Sequence, residues 1–142
     1  MPRNLSFLEP IYPRTRLRDL WMLDRHEVPD GNGVYILLTG DGTDFTYPGG
    51  RSPVFYIGQS KNLRNRLQDH LQFATEARDH RRYPLYFQVY EYAARFGCRY
   101  TCISALSWDT PKELEADVMA LFAKKSRCWP AANGVGSWDF VE

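Results

Sequence analysis

At 142 residues the chain has room for one hydrophobic core, and so for one active site or one binding face. A net charge of +1 excludes a histone-like or tail-driven nucleic-acid binder, but the charge is uneven: residues 51–82 hold seven cations against three anions (+4), and residues 108–142 hold four against six (−2). An odd number of cysteines, no signal-peptide pattern and no apolar run of membrane-spanning length point to a soluble protein of a reducing cytoplasm, away from any membrane. Cys98, Cys102 and Cys128 share no paired spacing with His26, His70 and His80, so structural zinc is not expected.

Residues 1–32 carry four of the nine prolines and five charges of each sign, with no sustained period beyond a short helical candidate, "RLRDLWML". They are expected to form an extension packed on a domain spanning 33–142. "GVYILL" (33–38) is a β-rich apolar run, and "TGDGTDFTYPGGRSP" (39–53) has the Gly, Pro and Asp content of a long loop. "VFYIG" (54–58) then reads as a second strand, giving a hairpin with an oversized connection. From Ser60, a candidate N-cap, Leu63, Leu67 and Leu71 recur at four-residue spacing and predict a helix with one buried stripe.

Segment 85–97, "LYFQVYEYAARFG", places Leu85, Val89, Tyr92 and Phe96 on one helical face and ends in a glycine suited to a helix terminus. "CRYTCISAL" (98–106) alternates like a third strand. The last helix starts at "TPKE", with Thr110 as N-cap, Pro111 in the first turn and Glu113 at the capping-box position. The order strand, strand, helix, helix, strand, helix predicts an α/β protein of the α+β type rather than a doubly wound sheet.

Three features carry chemistry. On a wheel of the last helix, at about 100° per residue, Glu115 lies inside the arc of Leu114, Val118, Met119, Leu121 and Phe122, while Glu113, Asp117 and Lys124 cluster on the opposite face. A carboxylate on the core side must be protonated, hydrogen-bonded, paired or bound to a metal; an ion pair with an arginine is the plain alternative. Arg66 and His70, four apart, stack on one face of the first helix beside the leucine stripe, where a solvated surface pair is the competing explanation. Tyr35 and Tyr56 could meet across the hairpin, though neighbouring phenols are commonly core aromatics with satisfied hydroxyls.

Taken in order, "GVY" (33–35), "YIG" (56–58), "KNLRNRLQDH", "LEADVMALF" and Asn133 after "RCWPAA" resemble the landmarks of the GIY-YIG nuclease superfamily, over roughly residues 33–134. The resemblance implies a small three-stranded antiparallel sheet flanked by helices. It also implies functional positions at Tyr35, Tyr56, Arg66, His70, Glu115 and Asn133. Twenty residues separate Tyr35 from Tyr56, more than the family's usual short connection, and the extension before "GVY" is a further departure.

The implied activity is metal-dependent endonucleolytic hydrolysis of DNA phosphodiester bonds, with RNA also open as a substrate. The alternative is a catalytically weak nucleic-acid-binding module of the same fold acting with a partner. By resemblance, Glu115 would hold one divalent metal, Mg²⁺ first, with Mn²⁺ able to substitute. Arg66 would grip a phosphate oxygen, and Tyr35 would act as general base beside Tyr56, its reference pKa of about 10 lowered by nearby cations. His70 would orient a tyrosine or share the proton transfer. Lys61, Arg64 and Asn133 are the expected substrate contacts.

Overall fold

The computed structural model describes residues 3–8, 11, 16–81, 87–105 and 110–133. Its strands are β1 (Arg18–Asp19), β2 (Gly33–Thr39), β3 (Phe45–Tyr47), β4 (Gly50–Ser52), β5 (Val54–Ser60) and β6 (Cys98–Ser104), and its helices are α1 (Leu63–His80), α2 (Gln88–Phe96) and α3 (Pro111–Ser126). The main sheet is antiparallel with the order β1, β6, β2, β5, while β3 and β4 form a separate hairpin. It therefore has four strands where the sequence predicts three.

The extra strand comes from "RLRDLWML", which is not a helix. Arg18 and Asp19 pair with Tyr100 and Arg99, and the Asp19 carboxylate then caps a single 3-10 turn at Leu20–Met22 by accepting from the Trp21 N–H. The predicted long loop likewise contains the β3–β4 hairpin, whose Tyr47 is buried and donates its hydroxyl to the Val54 carbonyl at 2.6 Å.

All seven residues of β2 are buried because both faces of this strand are covered, so it reads as a continuous apolar run instead of an alternation. Val34, Ile36 and Leu38 face one core, shared with Leu114, Val118, Met119 and Phe122 of α3 and with Leu5, Phe7 and Leu8 of the N-terminal segment. Tyr35 and Leu37 face the other, built by Leu63, Leu67 and Ala74 of α1, Val89, Tyr90 and Ala93 of α2, and Leu20 and Val28. The sheet thus separates α3 from α1 and α2.

The α1 helix starts later than Ser60. Asn62 is the N-cap, its side-chain oxygen accepting from the Asn65 N–H at 3.1 Å, and Ser60 makes a tight turn just upstream by accepting from the Asn62 N–H. Both residues are good caps, and the turn at Ser60 decides between them. For α3 the predicted cap is observed: the Thr110 hydroxyl accepts from the Glu113 N–H at 3.2 Å, with Pro111 in the first turn. The predicted helix 85–97 is seen over Gln88–Phe96, and Leu85 lies outside the described residues. Among the described residues no helix is long and apolar enough to cross a membrane.

Candidate active site

Tyr35 lies in the centre of β2 and points to the side of α1 and α2. The hairpin register pairs it with Gly58, not with Tyr56, which pairs with Leu37. The two phenols therefore meet diagonally, ring centroids 6.0 Å apart. Gly58 makes this possible: a Cβ there would stand 2.5 Å from Tyr35 Cζ and Oη and 2.8 Å from the Tyr56 ring. The glycine of "YIG" is thus a seat for the Tyr35 ring.

Arg66 and His70, one turn apart on α1, converge on the Tyr35 hydroxyl. Arg66 Nε donates to Tyr35 Oη at 3.1 Å, and Tyr35 Oη lies 2.8 Å from His70 Nε2. Arginine can only donate, so the phenol accepts from Arg66, and a neutral His70 shares one hydrogen bond with it through Nε2. His70 is 1% exposed. Burial first, and the Arg66 charge second, hold its pKa down at about 3, so it is a neutral imidazole over the physiological range.

Tyr35 is also 1% exposed, and its pKa is raised well above the ordinary value. Burial is the largest cause and Tyr56 adds to it; Arg66 opposes both without prevailing. The expectation that nearby cations ready Tyr35 as a general base is thus reversed. Desolvation keeps the proton on, and the hydroxyl is engaged by Arg66 and His70. Tyr56 is the half-buried member of the pair and the one open to solvent.

Burial opposes the charge of Arg66, but the adjoining Tyr35, Tyr90 and Tyr56 outweigh it and its pKa lies above the ordinary value. Its terminal nitrogens have no hydrogen-bond or ion-pair partner among the described residues, while Nε is fixed. The guanidinium is therefore a pinned cation with its fork unspent, unlike the solvated surface residue that a lone arginine on a helix suggests. Tyr90, absent from the predicted stripe of α2, is buried with its ring 5.4 Å from that of His70. Its place on the wheel beside Val89 and Ala93 was the available signal.

The remaining predicted residues divide. Lys61 is exposed at the turn between β5 and α1. Arg64 is turned the other way: its Nε donates to the Val28 carbonyl at 3.0 Å, and beside it the Leu63 N–H donates to the Gly31 carbonyl at 2.9 Å, so the first turn of α1 is fastened to the segment before β2. Asn133, expected as a substrate contact, is 8% exposed and has both ends of its amide on Ile57. Oδ1 accepts from the Ile57 N–H, and Nδ2 donates to the Ile57 carbonyl, each at 2.9 Å. β5 is an edge strand, and Asn133 supplies the pairing that the missing neighbour would give. It is a positioning residue for the strand that carries Tyr56 and Gly58.

Glu115 is brought by α3, whose apolar side packs in the core across the sheet from the tyrosine cluster, and it makes no hydrogen bond or ring contact with those four residues. It is half-buried, and burial raises its pKa, with Lys112 only partly offsetting. Glu113 and Asp117 are exposed, as the wheel predicts. Among the described residues Glu115 makes no ion pair with an arginine. No three His, Cys, Asp or Glu side chains gather among the described residues.

A family model described as the GIY-YIG catalytic domain matches residues 32–118. No curated protein and no solved structure matches the chain.

Proposed function

The chain belongs to the GIY-YIG catalytic-domain family, a family of nucleases, and from that premise we propose that it is a divalent-metal-dependent endonuclease hydrolysing DNA phosphodiester bonds. The observation that carries the reading is the state of Arg66. Its Nε is committed to a tyrosine that is itself fixed by a neutral histidine, while the rest of its fork has no partner among the described residues. Such a guanidinium can make paired charge-assisted bonds to non-bridging phosphate oxygens with little reorganisation, which favours the charge that develops in phosphoryl transfer.

The other residues take roles consistent with their exposure. Tyr35 and His70 orient Arg66 and exclude water behind it. Tyr56, the accessible phenol, is placed to hydrogen-bond the attacking water. Lys61 attracts the phosphate backbone without reading bases. Glu115 suits a hard divalent cation, since it is a partly desolvated carboxylate with no ion-pair partner among the described residues, a state that a bound Mg²⁺ would relieve. When bound, the metal supplies charge neutralisation at the phosphate and a more acidic water. A lone carboxylate holds Mg²⁺ weakly, so firm binding requires substrate phosphate as well.

The reading is tested by incubating supercoiled plasmid with the protein and Mg²⁺ or Mn²⁺, with and without chelator, alongside Arg66→Lys. Nicked or linear product should form only with metal. The lysine variant should retain most binding and lose about a hundredfold in rate, the scale of one misplaced transition-state donor. Binding without cleavage under every metal would favour the non-catalytic module, and cleavage unaffected by Arg66→Lys would remove the arginine from the account.

A further inference from the structure

A single exposed phenylalanine carries no meaning on its own; the position of Phe87 does. This residue precedes α2, makes no side-chain cap and is 73% exposed. Its ring stands 6.3 Å from that of Tyr90, Tyr90 stands 5.4 Å from His70, and His70 stands 5.1 Å from Tyr35. Tyr90 also lies close enough to Arg66 to act on its charge. A run of tilted and edge-on ring contacts thus links the pinned guanidinium to an exposed ring at the surface.

Along a nucleic-acid strand every phosphate is followed by a base, so a strand held at one phosphate by Arg66 carries neighbouring bases past the surface around it. In a continuous duplex those bases are stacked on each other and offer no face to a side chain; an unpaired base does. We propose that Phe87 is a stacking platform for an unpaired base near the phosphate held by Arg66, so that this chain takes single-stranded or locally unpaired nucleic acid in preference to continuous duplex. The inference rests on the nuclease reading above and adds a substrate class to it. Stacking is tolerant of base identity, since every base has a π-face, so the preference is for structure and not for sequence.

The test uses the full chain with chelator present, so that no cleavage occurs, and two probes: a short fluorescein-labelled single strand and the same strand annealed to its complement. Phe87→Ala should weaken single-strand binding by about 5- to 150-fold, the usual scale of one lost base–aromatic stack, and leave duplex binding unchanged. Phe87→Trp should restore it, and Phe87→Leu, apolar but without a π-face, should behave as the alanine variant does. Because the side chain is exposed, melting temperatures of all three should match that of the parent. Single-strand affinity that survives Phe87→Ala or Phe87→Leu, or that falls equally on both probes, would overturn the platform while plasmid cleavage continued to support the nuclease. A parent protein that neither binds the two probes nor cuts plasmid would overturn both.

Discussion

His70→Gln is expected to abolish a pH dependence of stability that the parent protein carries. In the folded state burial, helped by Arg66, holds the His70 pKa at about 3, against 6.5 for the free side chain. Between these values the unfolded chain binds a proton that the folded chain refuses, so stability is present above pH 6.5 and is lost as the pH falls. Well inside that window the slope is about 1.36 kcal/mol per pH unit, and the loss between neutrality and about pH 5 comes to about 2 kcal/mol. That is a sizeable part of the roughly 5–15 kcal/mol that holds a domain folded. Glutamine keeps an acceptor for the Tyr35 hydroxyl but has no proton to gain. Urea unfolding at the two pH values should show a drop in the parent that exceeds the drop in the variant by about 2 kcal/mol, the carboxylates contributing equally to both. The same neutrality means that cleavage by the folded parent should show no inflection near pH 6.5 from this residue. An equal drop in parent and variant would refute the assignment of His70 as a buried neutral imidazole.

Two other substitutions test how the site is held. Gly58→Ala should displace the Tyr35 ring, cost about 1–3 kcal/mol by overpacking and lower plasmid cleavage more than it lowers binding, because the ring it strikes is the one that aims Arg66. Asn133→Ala should leave the Ile57 N–H and carbonyl without their partner and cost about 2–4 kcal/mol in urea unfolding; the affinity of the folded fraction for DNA should not change, whereas a substrate contact would show the reverse pattern.

The parts of the fold set by local chemistry were legible in the sequence. The hairpin of β2 and β5, the Thr110 cap and the wheel of α3 follow from apolar runs and capping residues, and each is observed. Features set by distant partners were not. Two residues of β1 carry no period, and only their pairing with β6 makes them a strand. The β3–β4 hairpin hides in a segment whose Gly and Asp content signals a loop, and its anchors, Phe45 and Tyr47, are recognisable only by what they touch. At the site, Arg66 and His70 were visible as a pair four residues apart. The purpose of that spacing, two groups meeting one hydroxyl from β2, required the fold. The direction in which the Tyr35 pKa moves was missed because a sequence displays charges and does not display burial. The backbone pairing of Asn133 was not legible for a related reason: an amide that pairs with a backbone 76 residues away leaves no local pattern.

The central proposal, that Glu115 on α3 and the pinned Arg66 on α1 both serve phosphodiester cleavage, is tested most directly by Glu115→Gln, assayed for melting temperature and for metal-dependent plasmid cleavage on the same preparation. Burial works against the Glu115 charge, so the uncharged variant should melt at the parent temperature or above it. Its cleavage should fall by about a hundredfold or more at any Mg²⁺ concentration, the loss of a catalytic metal being worth several kcal/mol, while DNA binding persists. Glu113→Gln and Asp117→Asn, exposed on the same helix, should cut normally. A Glu115→Gln protein that is stable and fully active would contradict the account.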